Sequence, residues 1–259
     1  LTVDGTFGTG GAVTVMLILA GYPPVVAVGI AFLAGMLAGI VTGILHTVFG
    51  IPAILSGILS QIALYSVNLN IAQGSVDLYH LVVSGRNNPL TIITVAFVIL
   101  VMIALLYWFF GTETGFTIRA TGCNENMSRA QGINTSVAKV VALAFSNGIV
   151  GFAGGMLAQY QGNFDVNMGR GAIVIGLASV IIGEVIGEAL FGKRLNFSAR
   201  LAFVAIGSII YYIVIQFVLW LGLPTINMKM FSAMVVAIFL AVPYMRGRAK
   251  NSYRKAAKN

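Results

Sequence analysis

Of the chain's 259 residues, 58% are hydrophobic and 8% charged, against about a quarter charged in soluble domains, so a soluble globular domain is excluded. The net charge of +8 does not read as nucleic-acid binding, because the basic residues stand beside apolar runs and are not interleaved with aromatics on a polar face. A single cysteine, Cys123, excludes an intrachain disulfide and a cysteine-built metal cluster.

The chain opens at Leu1, already in membrane-like sequence and without a methionine, which predicts a further helix upstream. No secretory signal peptide is visible. Residues 2–21 are long enough to span a bilayer but carry Asp4 and five glycines, which predicts a broken or re-entrant helix. At about 20 residues per span, full spans are predicted near 24–48, 51–71, 90–110, 136–159, 171–190, 201–221 and 228–245. The fold class is therefore all-α, a polytopic integral membrane protein of about eight membrane segments, including the broken N-terminal one. It forms a single transmembrane domain over 1–259, ending in a basic tail at 246–259. The 31 glycines fit close helix packing in lipid, where small residues let backbones approach.

Between two of these apolar runs lies a polar island at 111–136, GTETGFTIRATGCNENMSRAQGINTS. Asn124 can cap a short helix over 125–131, Gly132 can end it in the left-handed conformation, and Asn134 can cap the next membrane helix. Twelve lysines and arginines, including Arg119, Arg129, Lys139, Lys193, Arg194, Arg200 and six in the tail, fall on one side of the resulting topology. Only Arg86, Arg170 and Lys229 fall on the other, which places the island and the C-terminus in the cytoplasm. The longest outward connection, 72–89, carries Asp77, His80 and Arg86. It reads either as a solvated loop or as a docking surface for an external delivery protein.

Asp4 and Asp165 each open a hydrophobic segment in a glycine-flanked context, DGTFG and DVNMG. This pairing hints at an inverted repeat with interrupted helices, the usual pointer to a translocation site; Gly5, Thr6 and Asn167 would line the path beside them. Ordinary helix capping is the other reading. Glu184 and Glu188 lie one turn apart and read either as a proton relay or as partners of Lys193 and Arg194. Tyr160, Gln161, Asn163 and Phe164 gather at an outer helix end, as interfacial anchors or as vestibule lining. His46 and His80 fall on opposite sides, so no metal site is expected, and no catalytic constellation occurs at a common depth. GEALFGKR at 187–194 lacks the Ser or Thr that holds magnesium in a nucleotide loop and closes a membrane helix instead of opening one. Energy must come from a partner ATPase or an ion gradient.

The island's pattern, Arg119-Ala-Thr-Gly-x-Asn124-x-x-Met127-Ser128-Arg129-Ala130-x-Gly132-Ile-Asn134, resembles the cytoplasmic coupling loop of bacterial ABC importer permeases. The branch is that of branched-chain amino acid and ribose permeases, nearest to a subgroup labelled as aromatic amino acid transport. The similarity extends in order, spacing and topology to residues 1–7, 35–45 and 169–194 and so covers nearly the whole chain. The second cytoplasmic loop departs from it, with Glu188 and Phe191-Gly192-Lys193-Arg194 where a Gly-Gly pair is common. The resemblance implies an ATP-driven importer subunit forming the path of a small polar solute, an amino acid among the options. It assigns ATPase coupling to Arg119, Asn124, Glu125, Asn126, Met127, Ser128, Arg129, Ala130 and Gly132. It implies a second permease copy as a homodimer, two cytoplasmic ABC ATPases, and an extracytoplasmic substrate-binding protein docking at Asp77 and Arg86. The chain itself would hold no cofactor, ATP and Mg being bound by the partner ATPase. The location implied is the bacterial inner membrane, multi-pass among its lipids, with a cytoplasmic C-terminus. The alternative is a proton-coupled secondary transporter using Glu184 and Glu188.

Overall fold

The computed structural model describes residues 2–72, 76–77, 89–191, 196–220, 230, 233–234 and 237. It divides into two compact units, 1–172 and 173–259. The first contains α1 (Val3–Leu19), α2 (Pro24–Thr47), α3 (Ala53–Ala72), β1 (Val76–Asp77), α4 (Pro89–Phe110), α5 (Glu113–Cys123), α6 (Glu125–Ala130), α7 (Thr135–Gln161) and β2 (Asn163–Phe164). In the second, α8 (Ala172–Phe191, its first residue closing the first unit) and α9 (Phe197–Trp220) follow. Among the described residues five helices are long and apolar enough to cross a membrane: α2, α3, the 93–110 part of α4, α7 and the 197–217 part of α9. The span expected near 228–245 lies almost wholly outside the described residues.

The N-terminal segment corrects the expectation of a broken helix. α1 is continuous over 17 residues, about 26 Å at 1.5 Å per residue. Its glycines are contact points and not breaks, because they face other helices. Gly5, Thr6, Gly8, Thr9, Gly10, Gly11, Ala12 and Thr14 are all buried, so the polar atoms and bare backbone that lipid could not satisfy are covered by protein.

What covers them is α2, α3, α7 and the segment 164–169. Thr6, Gly10 and Thr14 of α1 meet Asn147, Gly151 and Gly155 of α7 at a constant offset, so the two helices run parallel. A Cβ on Gly10 would fall on the Gly151 carbonyl, and one on Gly155 on the Thr14 hydroxyl. α2 crosses the same face of α7 in the opposite sense: Ala31 meets Gly151, Gly35 meets the Asn147 carbonyl, and Gly39 meets the Leu143 carbonyl. Small residues every fourth position let three backbones approach, which is the packing route available where lipid removes the hydrophobic driving force. Part of the polar interior is satisfied locally, while Thr14 Oγ1 and Asn68 Oδ1 are buried without a hydrogen-bond partner among the described residues. The Thr6 hydroxyl donates to Asn147 Oδ1 at 2.9 Å, and the Thr2 and Thr42 hydroxyls lie 3.2 Å apart. Large apolar side chains such as Leu33, Leu37 and Val41 point outward, as expected when the surrounding solvent is hydrocarbon.

The connection 162–171 is not a simple outer loop. Gly162 closes α7 at φ +71°, β2 pairs antiparallel with β1 (Val76 opposite Phe164, Asp77 opposite Asn163), and the chain then runs back along α1. Phe164 and Met168 abut Gly11, and Gly169 abuts the Asp4 carbonyl. This two-residue ladder is a small departure from an all-α fold. In the second unit α8 and α9 pack through Ala178, Ile182, Tyr211 and Ile215, with Gly183 against the Phe203 carbonyl and Gly207 against that of Ser179.

Candidate functional site

Two regions carry polar chemistry. The first is the predicted short helix, whose cap, body and stop are all present. Asn124, in extended conformation, accepts from the Met127 N–H through Oδ1 at 3.0 Å. Gly132 takes φ +83° and the Ile133 N–H closes on the Ser128 carbonyl at 3.1 Å, satisfying the carbonyls that a helix end leaves open. Asn134 then caps α7 through the Val137 N–H at 3.2 Å.

Glu125 ties this helix to α7. Its Oε1 accepts from Arg129 Nη2 at 2.8 Å and from the Thr135 hydroxyl at 3.3 Å, and its Oε2 accepts from Lys139 Nζ at 2.8 Å. Arg129 Nε also donates to Thr135 Oγ1 at 2.9 Å. Ser128 is buried and donates back to the Asn124 carbonyl at 3.0 Å. Arg119, Asn126, Met127, Arg129 and Ala130 are exposed, so the outward face of the segment is available to a partner while the inward face is pinned. Thr135 and Lys139 are the partners that sequence reading missed; they lie ten and fourteen residues from Glu125 and become neighbours only through the turn at Gly132. The preceding helix α5 was also missed. Its signal is Thr112, which accepts from the Gly115 N–H at 3.3 Å, with Glu113 in the first turn.

The hydrogen bond from Lys139, aided by the positive charges of Lys139 and Arg129 and the Thr135 hydroxyl and opposed by partial burial, holds the Glu125 carboxyl below its ordinary 4.5. A lowered folded-state pKa contributes stability that is fully present above the ordinary value and lost as pH falls through the lowered one. Acidification below about pH 4.5 is therefore expected to loosen 124–133 from α7. Glu125→Gln should already be loosened at neutral pH and show no further change on acidification. Amide hydrogen exchange of this segment against pH measures both.

The second region is a cavity of about 260 Å³ whose wall includes Asp4, Gln61, Tyr65, Asn68, Val166 and Arg170. Asp4, in the first turn of α1, accepts from the Gly171 N–H through Oδ2 at 3.1 Å. Asn68 of α3 donates from Nδ2 to the Gly5 carbonyl at 3.1 Å; it is 1% exposed and its Oδ1 has no hydrogen-bond partner. The Arg170 guanidinium carbon stands 5.7 Å from the centroid of the Tyr65 ring. Thr6 sits one residue past Gly5 and bonds Asn147, thirteen residues into the 27 of α7, so the base of this cavity is level with the middle of the longest span.

The structure thus brings Asp4 and Gly5 into one cavity wall with Val166 and Arg170 of the returning segment, while Thr6 bonds Asn147 of α7 instead. Asp165 is different in kind: exposed, it closes its own turn by accepting from the Asn167 N–H at 2.6 Å. For Asp77 only the backbone is described, and Arg86 lies outside the described residues. Glu184 and Glu188 are exposed on α8; Lys193 and Arg194, their expected partners, lie outside the described residues.

A family model described as branched-chain amino acid transport system, permease component, matches residues 1–243. The chain is 38% identical over 245 residues to the tyrosine transport system permease protein of Clostridioides difficile (strain R20291), covering 93% of this chain and 80% of that one. It is 30% identical over 251 residues to an uncharacterized protein of Rickettsia prowazekii (strain Madrid E), covering 93% and 86%. It is 25% identical over 252 residues to the galactofuranose transporter permease protein YtfT of Escherichia coli (strain K12), covering 95% and 72%. No solved structure matches the chain.

Proposed function

This chain belongs to the branched-chain amino acid transport system permease component family, and from that premise we propose how its two polar regions divide the work of transport. It is the multi-pass membrane permease of an ABC-type transport system, a transport subunit and not an enzyme. Beyond that, the reading is an importer of about eight membrane segments that pairs with a second copy and with two cytoplasmic ATPases, which bind ATP and Mg. An extracytoplasmic substrate-binding protein would deliver solute to the outer side, where Asp77 and Arg86 are the docking residues. The twelve-to-three bias of lysine and arginine supports a cytoplasmic island and C-terminus in a bacterial inner membrane.

The observation that carries the coupling role is the pinned geometry of α6. A push on its exposed face passes through Glu125 to Lys139 and Thr135 of α7, and α7 is locked to α1 and α2 by glycine contacts. ATPase closure at α6 would thus tilt the helices that wall the polar cavity, the rigid-body motion that alternates access. A small amino acid is the favoured solute, since the relative named for tyrosine transport is nearer in sequence than the one named for galactofuranose.

Cys123, exposed and alone in the chain, adjoins the Asn124 cap and serves as a native reporter. In membranes holding the whole transporter, a short bifunctional thiol reagent is expected to join Cys123 to the ATPase, with a yield that changes on adding ATP. Cross-links to other partners alone would overturn the coupling role.

A further inference from the structure

Residues 163–170 lie between two glycines held in the left-handed region, Gly162 at φ +71° and Gly171 at φ +92°. Within that interval the backbone closes on itself. The Met168 N–H donates to the Asp165 carbonyl at 2.9 Å, the Asn167 N–H to Asp165 Oδ1 at 2.6 Å and the Arg170 N–H to the Asn167 carbonyl at 3.0 Å. Bonds this local travel with the segment when it moves. Its two ends are where backbone rotation meets least resistance, because glycine carries no Cβ, and a Cβ at Gly171 would meet no described atom within 4 Å.

The surface beneath the segment is bare backbone. Gly8 and Gly11 share one face of α1. A Cβ on Gly11 would stand 2.8 Å from the Met168 sulfur and 2.9 Å from the Phe164 ring, and one on Gly8 would stand 3.8 Å from the Val166 carbonyl. Phe164, 1% exposed, and Val166, 9% exposed, join a cluster with Ala12, Val15 and Ala72. Apolar contact of this kind is non-directional, so the segment can leave and return without exchanging a set of side-chain hydrogen bonds. At one end β2 is paired with β1, and at the other the Gly171 N–H donates to Asp4 Oδ2. Asn68 stands beside it, its Nδ2 2.8 Å from where a Cβ on Gly8 would be, and its Oδ1 is buried without a partner among the described residues. A buried acceptor left unpaired is costly. Moving the segment aside would admit water to it and offset part of the lost apolar burial.

We propose that residues 163–170 form a strap that closes one wall of the cavity between α1 and α3, and that it swings on Gly162 and Gly171 to open it. Val166 and Arg170 belong to that wall, so the motion removes one side of the cavity. Hinges of this type are a few residues that absorb the φ/ψ change. That ATP drives the opening rests on the importer reading above; that the strap can open does not.

The test follows one thiol in right-side-out membrane vesicles carrying the complete transporter, with Cys123, alone in the chain, replaced by serine. Val166→Cys reports on the strap. Val28→Cys, on α2, 6% exposed and outside the strap's cluster, is the control, and exposed Asn167→Cys sets the rate of an open site. A bulky membrane-impermeant maleimide is added outside, to vesicles loaded with ATP or left without it. Without ATP, Val166→Cys is expected to react slowly, and Phe164→Ala, which removes the strap's largest apolar contact, should speed it about ten-fold or more. Phe164→Leu should give an intermediate rate, and co-elution of the ATPase reports assembly of both variants. ATP should speed the parent Val166→Cys about ten-fold, within the usual range of coupling between two sites, while Val28→Cys stays protected throughout. A Val166→Cys rate unmoved by both Phe164 variants would overturn the strap. So would a parent rate equal to that of Asn167→Cys, or Val28→Cys rising in step, which marks general loosening. A response to the Phe164 variants without one to ATP would keep the strap and count against the importer reading alone.

Discussion

Replacing Gly151 by leucine is expected to abolish the folded permease. Gly151 is where three helices meet: its carbonyl lies against Gly10 of α1, and a Cβ added to it would stand 2.6 Å from the Ala31 carbonyl and 3.1 Å from Gly35 Cα of α2. None of these is the far end of a flexible side chain, so nothing can rotate away and the backbones must separate. Overpacking of this kind costs about 3 kcal/mol or more, and separation would also expose Thr6 and Asn147 without each other. Size-exclusion profile and thermal unfolding in detergent measure the effect. Gly29→Leu on α2 is the matched control: a Cβ there meets nothing within 4 Å, and the variant should be nearly as stable as the parent. If Gly151→Leu were as stable as Gly29→Leu, the three-helix contact would be wrong.

Two glycines inserted between Met127 and Ser128 are expected to separate ATP hydrolysis from transport. The helix has six residues, too few to re-form around an insertion, and the Asn124 cap and the Ile133-to-Ser128 closure would no longer share one rigid turn. Force applied to the exposed face would then be absorbed instead of passed to Lys139 and Thr135. In the reconstituted transporter, uptake should fall on the order of ten-fold, the scale of a typical coupling free energy, while ATP hydrolysis persists. Ala130→Glu, which keeps the helix but alters its exposed face, should weaken both together by disturbing the contact with the ATPase. Uptake and hydrolysis falling in parallel in the insertion variant would remove α6 from the coupling path.

Much of this chain is legible from local sequence. Apolar runs placed the helices α2, α3, α4, α7 and α8 within two residues of their observed ends and α9 within four, since a span's length is set by bilayer thickness and its composition by lipid. Asn124, Gly132 and Asn134 marked the ends of α6 and the start of α7, because capping and left-handed closure act over three or four residues. What sequence alone could not decide is what the glycines and lone polar groups are for. The same glycines that read as breaks in 2–21 are contact points of a continuous α1, a distinction that depends on whether another helix lies opposite. The contacts that make the cavity, Asn68 with Gly5, Thr6 with Asn147 and Asp4 with Gly171, join residues 63, 141 and 167 positions apart. No periodicity encodes such pairs; Asn68 drew no attention as a single letter, and Arg170 was read only as one of three outward charges. Asp4 and Asp165 looked alike in glycine-flanked sequence, yet one is anchored to the returning segment and the other closes its own turn. That difference arises from the reversal of the chain at Gly162 and its return along α1, which only the packed helices decide.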